Sequence, residues 1–203
     1  MVINHVSRET EARLRQYHAL LLKWQDKINL ISPTTVPDAW ERHFEDSLQL
    51  LPLIPEGVKT IYDLGSGAGF PGLLLAMTRP DIAVSLIESD AKKCAFLKTV
   101  SRETGTAAAI RNERIETAAA TLPAPDLITA RALASLGDLL GYIQPWLEQR
   151  PELALLFPKG ERWAEEVETA KTAGWAFDMA DFPSKTDPRA HILLLKNVRI
   201  SQV

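Results

Sequence analysis

The chain has 203 residues, a net charge of −3 and a single cysteine, Cys94. That length suits one α/β domain with an appended helical segment, and a lone cysteine excludes an intrachain disulfide framework. No apolar run approaches the roughly 20 residues of a membrane helix, and neither metal-ligand spacing nor a secretion signal is found, so we expect a cytoplasmic protein that needs neither membrane nor metal.

Residues 1–57 are predicted to form a helical extension packed on the core. One amphipathic helix is expected over 7–29, where Ser7 suits the N-cap and apolar residues recur at three- and four-residue steps. A second helix is expected over 37–50, and within it His43 is most simply a hydrogen-bonded structural side chain. The apolar positions are Leu14, Tyr17, Leu21, Trp24 and Ile28 in the first helix, and Trp40, Phe44, Leu48 and Leu51 in the second.

Residues 58–203 alternate between strand-like and helix-like patterns, which is typical of a Rossmann-like sheet built from βαβ units. The predicted strands cover 59–64, 83–88, 106–110, 126–130, 153–157, 175–182 and 190–196. The predicted helices between them cover 71–79, 90–104, 135–148 and 161–174. We therefore predict an α/β fold with a seven-stranded, mostly parallel sheet, helices on both faces and an antiparallel pair of strands at one end.

The stretch 61–72 lies at the centre of this pattern, because there a strand breaks into glycines and then into a helix. Gly65, Gly67 and Gly69 leave the main chain bare for a ligand, and Asp63 precedes them. The same glycines satisfy both the class I S-adenosyl-L-methionine (SAM) methyltransferase pattern and the dinucleotide pattern. We favour SAM, because a carboxylate suits a sulfonium and an ammonium better than a pyrophosphate and because the chain is too short for a separate hydride-substrate domain. NAD or FAD, and a purely structural turn, stay as alternatives.

Ligands of open α/β sheets lie beyond the carboxyl ends of the strands. Glu88 follows the second predicted strand and suits the ribose hydroxyls of an adenosyl group, while Ile115 follows the third and suits the adenine face. Although the acidic net charge favours a small-molecule substrate, cations from five loops are expected on one rim, which supports a nucleic-acid substrate. These cations are Lys92, Arg114, Arg131, Lys159 and Arg189.

Together these residues resemble the RsmG family, formerly called glucose-inhibited division protein B, whose members are bacterial 16S rRNA guanine-N7 methyltransferases. The resemblance covers nearly the whole chain. It implies SAM as the methyl donor, S-adenosyl-L-homocysteine as the product, and a guanine in the helix-eighteen loop of the small ribosomal subunit as the acceptor. The motifs that carry it are Asn29-Leu30, Arg42-His43, Asp46-Ser47, Asp63 to Gly72, Glu88-Ser89 with Lys92, Arg114-Ile115-Glu116, Arg131-Ala132-Leu133-Ala134 and Lys159-Gly160.

The resemblance also implies site residues. Cofactor contacts are implied at Gly65, Phe70, Ile115, Glu116 and Arg131, and rRNA phosphate contacts at Lys92, Arg114 and Arg189. The glycine turn and the sheet edge add Asp63, Ser66, Gly67, Gly69 and Glu88 to the cofactor set, and the basic rim adds Lys159 to the RNA set. The family often carries more basic residues near its N-terminus, so RNA affinity is expected to depend on the ribosomal assembly context.

The expected chemistry needs no general base, because guanine N7 has an in-plane lone pair and no proton. Arg131 is expected to orient the cofactor or the substrate, since its guanidinium does not deprotonate. The partner is expected to be 16S rRNA or the small ribosomal subunit, and the protein to be a monomer. The alternative function is SAM-dependent methylation of a small molecule.

Overall fold

The alternating strand and helix patterns fold into one sheet with helices on both faces, in a computed structural model that describes residues 6–201. The strands in this range are β1 (Thr60–Leu64), β2 (Ala83–Glu88), β3 (Ala109–Asn112), β4 (Leu127–Ala130), β5 (Ala154–Lys159), β6 (Trp175–Pro183) and β7 (His191–Ile200). The helices are α1 (Arg8–Gln25), α2 (Asp46–Leu48), α3 (Gly72–Thr78), α4 (Ala91–Thr104), α5 (Ile115–Thr121), α6 (Leu136–Tyr142), α7 (Gln144–Gln149) and α8 (Trp163–Thr172). The predicted fold class is confirmed.

The strand order is β3-β2-β1-β4-β5-β7-β6, and β7 alone of these runs opposite to the other six strands. The register of the parallel strands brings their carboxyl ends together, so that Leu64 of β1 lies beside Ile87 of β2 and Ala130 of β4. The order reverses at β1, where open sheets of this kind form their ligand crevice. The loops after β1, β2, β4 and β5 therefore surround the candidate site.

The N-terminal segment packs on one face of the sheet together with α3 and α4. Tyr17 of α1 and Phe44 belong to the same buried cluster as Leu73 and Phe96. The opposite face is covered by α5 to α8 around the fully buried Trp146. Burial of each such side chain contributes about 1.5–3 kcal/mol, so the N-terminal segment is part of the core rather than an appendage. The domain boundary at residue 57 stays a prediction.

The third βα unit differs from its prediction in two respects. β3 begins at Ala109 rather than at 106, because Gly105 ends α4 in the left-handed conformation (φ 63°) and Thr106 stays hydrogen-bonded to Ser101. No helix was expected after β3, yet α5 forms there. It contains three consecutive alanines, the residue with the highest helix propensity.

Two predicted helices are interrupted. The segment 135–148 forms α6 and α7, because Pro145 in the first turn of α7 has no N–H with which to continue the hydrogen-bond ladder. In the segment 37–50 the chain forms a π-helical turn, Trp40–Glu45, followed by the short α2. Such turns occur often at functional sites, and this one carries His43 toward the loop after β4.

Within residues 6–201, no helix is both long and apolar enough to cross a bilayer. In the same part of the chain, no three His, Cys, Asp or Glu side chains are placed to share a metal ion. Cys94 is buried in α4, where its thiol donates to the carbonyl of Glu88 at 3.3 Å.

Candidate active site

The glycines between β1 and α3 have different roles, although Gly65, Gly67 and Gly69 all have positive φ (59°, 56° and 95°). A Cβ on Gly67 would meet only the carbonyl oxygen of Gly65, at 3.7 Å, so its main chain borders open space. A Cβ on Gly69 would lie 2.6 Å from the hydroxyl oxygen of Tyr17. Gly67 is therefore the bare position that a ligand can approach. The cofactor contact at Gly69 stays a prediction, and packing against Tyr17 fills the side of the residue where a Cβ would lie.

The other small residues of the turn serve packing. A Cβ on Gly65 would lie 2.5 Å from a methyl group of Leu133, which covers that glycine from the loop after β4. A Cβ on Gly72 would lie 2.5 Å from the Cβ of Asp63, so this glycine lets α3 approach β1 closely. The hydroxyl of the buried Ser66 donates to the Asp63 carbonyl at 2.9 Å and closes the turn.

Asp63 lies beneath the turn and is fully buried. Thr129 donates to its Oδ1 at 2.8 Å, while Oδ2 has no hydrogen-bond partner among the described residues. Burial raises the pKa of this carboxyl to about 6, and hydrogen bonds and Arg131 oppose the rise. The contact between Asp63 and a cofactor stays a prediction, since the buried side chain lines none of the cavities described below. Its carboxylate lies just beneath the glycine turn.

Glu88 braces the turn from the end of β2. Its Oε2 accepts the N–H of Gly67 at 2.8 Å, and its Oε1 accepts the N–H of Asp90 at the same distance. Each carboxylate oxygen can accept a second hydrogen bond, so the predicted role toward ribose hydroxyls is compatible with this bracing. The N–H of Gly67 is directed to Glu88, so a ligand there would meet the open α-carbon face of the glycine.

Three cavities follow one another along the carboxyl edge of the sheet: a β2-side cavity of about 290 Å³, a central cavity of about 310 Å³ and a β5-side cavity of about 330 Å³. Ala132 lines all three, Gly65 and Lys93 line both the β2-side and the central cavity, and Arg131 and His43 line both the central and the β5-side cavity. The shared residues place the three cavities side by side, and together they are called the cleft.

All the predicted cofactor residues except Asp63 and Gly69 line the β2-side or the central cavity. The β2-side cavity is also lined by Glu88, Arg114, Ile115, Glu116, Leu133 and Tyr142. The central cavity is also lined by Thr35, Ser66, Gly67 and Phe70. The β5-side cavity is also lined by Asp46, Lys159, Glu166, Thr186 and Asp187. The β2-side cavity thus combines apolar and charged residues of both signs, the central cavity contains the glycine turn, and the β5-side cavity is mainly polar.

The ring of Phe70 is the floor of the central cavity. It stacks on Tyr17 (centroids 5.3 Å apart, planes at 14°) and on His43 (5.3 Å, 24°), and the guanidinium carbon of Arg131 lies 5.1 Å from its centre. The hydroxyl of Tyr17 donates to the carbonyl of Ala68 in the glycine turn, and burial raises the pKa of this phenol well above its usual value. Tyr17 was expected only as a core residue of α1, and its helical spacing carries no sign of the contact with the turn.

Arg131 is held by hydrogen bonds to the N-terminal segment. Its Nη1 donates to the carbonyl of Arg42 and to Oδ2 of Asp46, both at 3.2 Å, and its Nη2 donates to Nδ1 of His43 at 2.9 Å. The side chains of Arg131 and Asp46 are each 16% exposed, so the ion pair is largely withdrawn from solvent. Three N–H groups of Arg131 are thus used by the described chain, and its Nε–H and second Nη2–H are left for a ligand.

His43 is hydrogen-bonded on both sides, which confirms the simplest interpretation of this residue. Nε2 lies 2.9 Å from the hydroxyl of Thr35, opposite the contact between Nδ1 and Arg131. Burial, followed by the positive charges of Arg131 and Arg42, lowers the pKa of His43 to about 3. The imidazole is therefore neutral at any ordinary working pH.

Asp46 joins three distant parts of the chain, and sequence reasoning gave it no role beyond its place in a motif. Besides Arg131, it accepts the hydroxyl of Thr186 at 2.6 Å and the amide of Gln49 at 2.8 Å. Arg42 pairs with Asp187 at 3.3 Å. The turn between β6 and β7 is thereby attached to the N-terminal segment across the β5-side cavity.

The predicted basic rim is only partly present. Lys92 and Arg114 are exposed after β2 and β3, and Arg189 is exposed although it pairs with Glu161 at 3.0 Å. Arg114 lines the β2-side cavity, whereas Lys92 and Arg189 line none of the three. Lys92 and Arg114 follow strands that end at the same edge of the sheet, and Arg189 lies in the turn between β6 and β7 at that edge.

Lys159 differs from the other predicted RNA contacts, and its phosphate contact stays a prediction. The strand β5 extends to this residue instead of ending at 157, and the lysine side chain is 7% exposed. Its ammonium donates to Glu166 at 2.7 Å and to the carbonyl of Ala134 at 2.8 Å. The charge is thus paired inside the protein, and the side chain borders the β5-side cavity with little exposure.

Comparison with known proteins gives a consistent result along nearly the whole chain. The family model GidB, described as rRNA small subunit methyltransferase G, matches residues 10–192. A protein of Paramagnetospirillum magneticum named ribosomal RNA small subunit methyltransferase G is 52% identical over 194 residues, covering 95% of this chain and 91% of the relative. A protein of the same name from Gluconobacter oxydans is 46% identical and covers 96% of this chain and 97% of the relative.

Solved structures with low sequence identity share the fold. The O-methyltransferase TomG from Streptomyces achromogenes, solved in complex with SAM, has 14% identity and a TM-score of 0.57, with 98% of this chain and 93% of that chain covered. A mutant of MtNAS, solved in complex with S-adenosylmethionine, has 14% identity and a TM-score of 0.63, with 95% and 76% covered. At this identity the likeness concerns the fold alone.

Proposed function

Since the chain belongs to the GidB family of rRNA small subunit methyltransferase G proteins, we propose that it transfers a methyl group from SAM to N7 of a guanine in the helix-eighteen loop of 16S rRNA. The family gives the class of reaction and the small-subunit rRNA, whereas the guanine, the N7 atom and the loop are the proposal. The observation that carries it is the adjacency of two cavities. The central cavity beside the bare Gly67 and the β5-side cavity share Arg131, His43 and Ala132, so a donor and an acceptor bound in them would be neighbours.

The residues of the cleft fit SAM. The open face of Gly67 admits a ligand close to the main chain, and a Cβ there would narrow the approach. Glu88 offers carboxylate oxygens for ribose, and Ile115 in the same cavity offers an apolar surface for adenine. The buried charge of Asp63 favours a cationic group above the turn. The two remaining N–H groups of Arg131 suit the carboxylate of the methionine part, since a guanidinium binds carboxylates in a bidentate manner.

Bound SAM supplies a methyl group activated by a sulfonium. Guanine N7 carries a lone pair and no proton, so the acceptor needs no general base. The residues between the central and the β5-side cavity offer no general base. Nδ1 of His43 already accepts a hydrogen bond from Arg131, and the guanidinium of Arg131 does not take up a proton. The contribution of these residues is orientation, a proximity effect that depends on holding donor and acceptor in line.

The RNA would be held at the rim and its base in the β5-side cavity. Lys92, Arg114 and Arg189 are exposed cations at this edge of the sheet and suit phosphates. A base in a folded RNA loop must leave its stack to enter a pocket. The β5-side cavity of about 330 Å³, adjoining Arg131, is the space that we assign to that base. We further propose that the protein acts as a monomer in the cytoplasm, where small subunits are assembled.

The test is transfer of a tritiated methyl group from SAM to 16S rRNA that lacks the modification, offered both as naked RNA and as assembled small subunits. We expect label in one guanine of the helix-eighteen loop, recovered as 7-methylguanosine by nucleoside mass spectrometry. Binding of SAM without any rRNA labelling in either form would refute the substrate, and label at another atom of the base would refute the assignment of N7. Transfer to small molecules but not to rRNA would support the alternative function.

A further inference from the structure

We propose that His43 is a positioning residue for Arg131: a neutral imidazole with its proton on Nε2, whose Nδ1 fixes the guanidinium at the junction of the donor and acceptor cavities. This inference rests on the proposed function, because it assigns to Arg131 the orientation of SAM. It names a residue that acts through Arg131 and does not itself exchange a proton.

The tautomer of His43 follows from its partners. Arginine donates hydrogen bonds and never accepts them, so Nδ1 of His43, 2.9 Å from Nη2 of Arg131, must be the acceptor. The ring proton is then on Nε2, which donates to the hydroxyl oxygen of Thr35 at 2.9 Å. The hydroxyl of Thr35 in turn donates to the carbonyl of Ser32 at 2.9 Å. Every bond in this chain has one possible direction, which runs from Arg131 to the main chain at Ser32.

The ring is also held from its face. The ring of Phe70 stacks on His43 and lies under the guanidinium of Arg131, so both groups contact the same aromatic ring. Phe70 is 4% exposed and itself stacks on Tyr17 of α1. His43 therefore has little freedom to rotate, and a rigid acceptor is what a long arginine side chain needs in order to keep one orientation.

The hydrogen bond between His43 and Arg131 lies where it can affect catalysis. His43 and Arg131 both line the central cavity and the β5-side cavity, which is where the transferred group must pass. Asp46 and the carbonyl of Arg42 both hold Nη1 of Arg131, so loss of His43 would leave the guanidinium attached through that nitrogen alone. Displacement of a positioning group by about 1 Å costs up to about 100-fold in rate.

Two substitutions of His43 test the roles of its two ring nitrogens separately. The Oδ1 of asparagine falls near the position of Nδ1, so His43→Asn keeps an acceptor for Arg131. The amide of glutamine reproduces Nε2, so His43→Gln keeps the bond to Thr35 and loses the acceptor. His18→Gln is the matched control, because His18 packs edge-on against Trp40 and Phe44 in the same aromatic cluster and lines none of the three cavities.

The readouts are the Kd for SAM by calorimetry, kcat with small subunits, and the midpoint of thermal unfolding. We expect His43→Gln to weaken SAM binding about 10-fold and to lower kcat about 10- to 100-fold, while His43→Asn and His18→Gln stay within about threefold of the parent. In an Arg131→Ala background, His43→Gln should add nothing further, because coupled residues are not additive. If asparagine is as harmful as glutamine at equal stability, or if the two losses add, the positioning role is wrong.

Different results would refute the proposed function and the positioning role of His43. A protein that binds SAM but methylates no rRNA refutes the substrate, yet the calorimetric comparison of His43→Asn with His43→Gln still decides the role of His43. Unchanged SAM affinity in Arg131→Ala overturns the positioning proposal, because there is then no cofactor contact for His43 to support.

Discussion

The ammonium group of Lys159 lies 2.7 Å from Oε2 of Glu166, and the same oxygen accepts the N–H of Leu136 at 2.8 Å. Lys159 also donates to the carbonyl of Ala134. This buried pair therefore holds the loop between β4 and α6 from two points, and Arg131 stands at the start of that loop.

We expect Lys159→Met to destabilise the fold by about 3 kcal/mol, because it leaves Glu166 partly buried without its partner. The double variant Lys159→Met, Glu166→Leu should recover part of that loss. The measurement is urea denaturation at pH 7. A loss below about 0.5 kcal/mol for the single variant would mean that the pair behaves as a surface salt bridge.

The salt dependence of RNA binding distinguishes two roles for Lys159, a phosphate contact and an internal ion pair. Binding of RNA at increasing salt should have the same slope in Lys159→Met as in the parent protein, because a residue that touches no phosphate releases no counterions. Lys92→Met, which removes an exposed cation from the rim, should reduce the slope by about 1. Equal reductions in the two variants would restore Lys159 to the RNA-binding set.

Much of the fold was predictable because strand and helix patterns are local properties of the sequence. β2 matches its predicted bounds, and the glycine turn was located because only glycine tolerates the positive φ at Gly67 and its neighbours without cost. The rule that ligands lie at the carboxyl ends of strands then placed Glu88, Ile115 and Arg131 on one cleft from the sequence alone.

What could not be predicted depends on which residues meet through the fold. The spacing of Tyr17 indicates only a buried helix face, and nothing in it shows that its hydroxyl bonds the turn at Ala68. The link between Asp46 and Thr186 spans 140 positions, so no local pattern reveals it. The pairing of Lys159 was missed for the same reason, because its partner Glu166 looks like an ordinary helix-surface acid until β5 and α8 are placed together.

Gly67→Asp is expected to abolish SAM binding, because a carboxylate side chain would occupy the open space beside the main chain. Gly57→Asp is the matched control, since Gly57 also has positive φ (84°), also borders open space and lies outside the cleft. Both variants should lose about 1–2 kcal/mol of stability from the left-handed backbone, and only Gly67→Asp should lose affinity in calorimetry. Unchanged affinity in Gly67→Asp would refute the assignment of the turn.

Arg114→Glu is expected to lower methylation of small subunits about 10-fold or more while SAM affinity changes less than about threefold, because charge reversal repels phosphates that the rim should attract. Lys98→Glu is the control, since Lys98 is an exposed cation of α4 that lines none of the three cavities. Arg114 lines the β2-side cavity, so the calorimetric measurement is decisive. Equal losses of SAM binding and methylation would show that Arg114 belongs to the cofactor site instead.

The buried carboxyl of Asp63 predicts a pH dependence of stability. Its pKa is about 6 in the folded protein against 3.8 for a free side chain, so between these values the folded state holds a proton that the unfolded state has released. The stabilisation that comes from protonated Asp63 is therefore fully present below pH 3.8. It is lost as the pH rises through 6, and the free energy of unfolding falls by about 3 kcal/mol. Asp63→Asn does not titrate, so its free energy of unfolding relative to the parent should rise by about that amount between pH 4 and pH 7. Its SAM affinity should fall, because the negative charge beneath the turn is gone. Parallel stability profiles for the two proteins would contradict a raised pKa at this position.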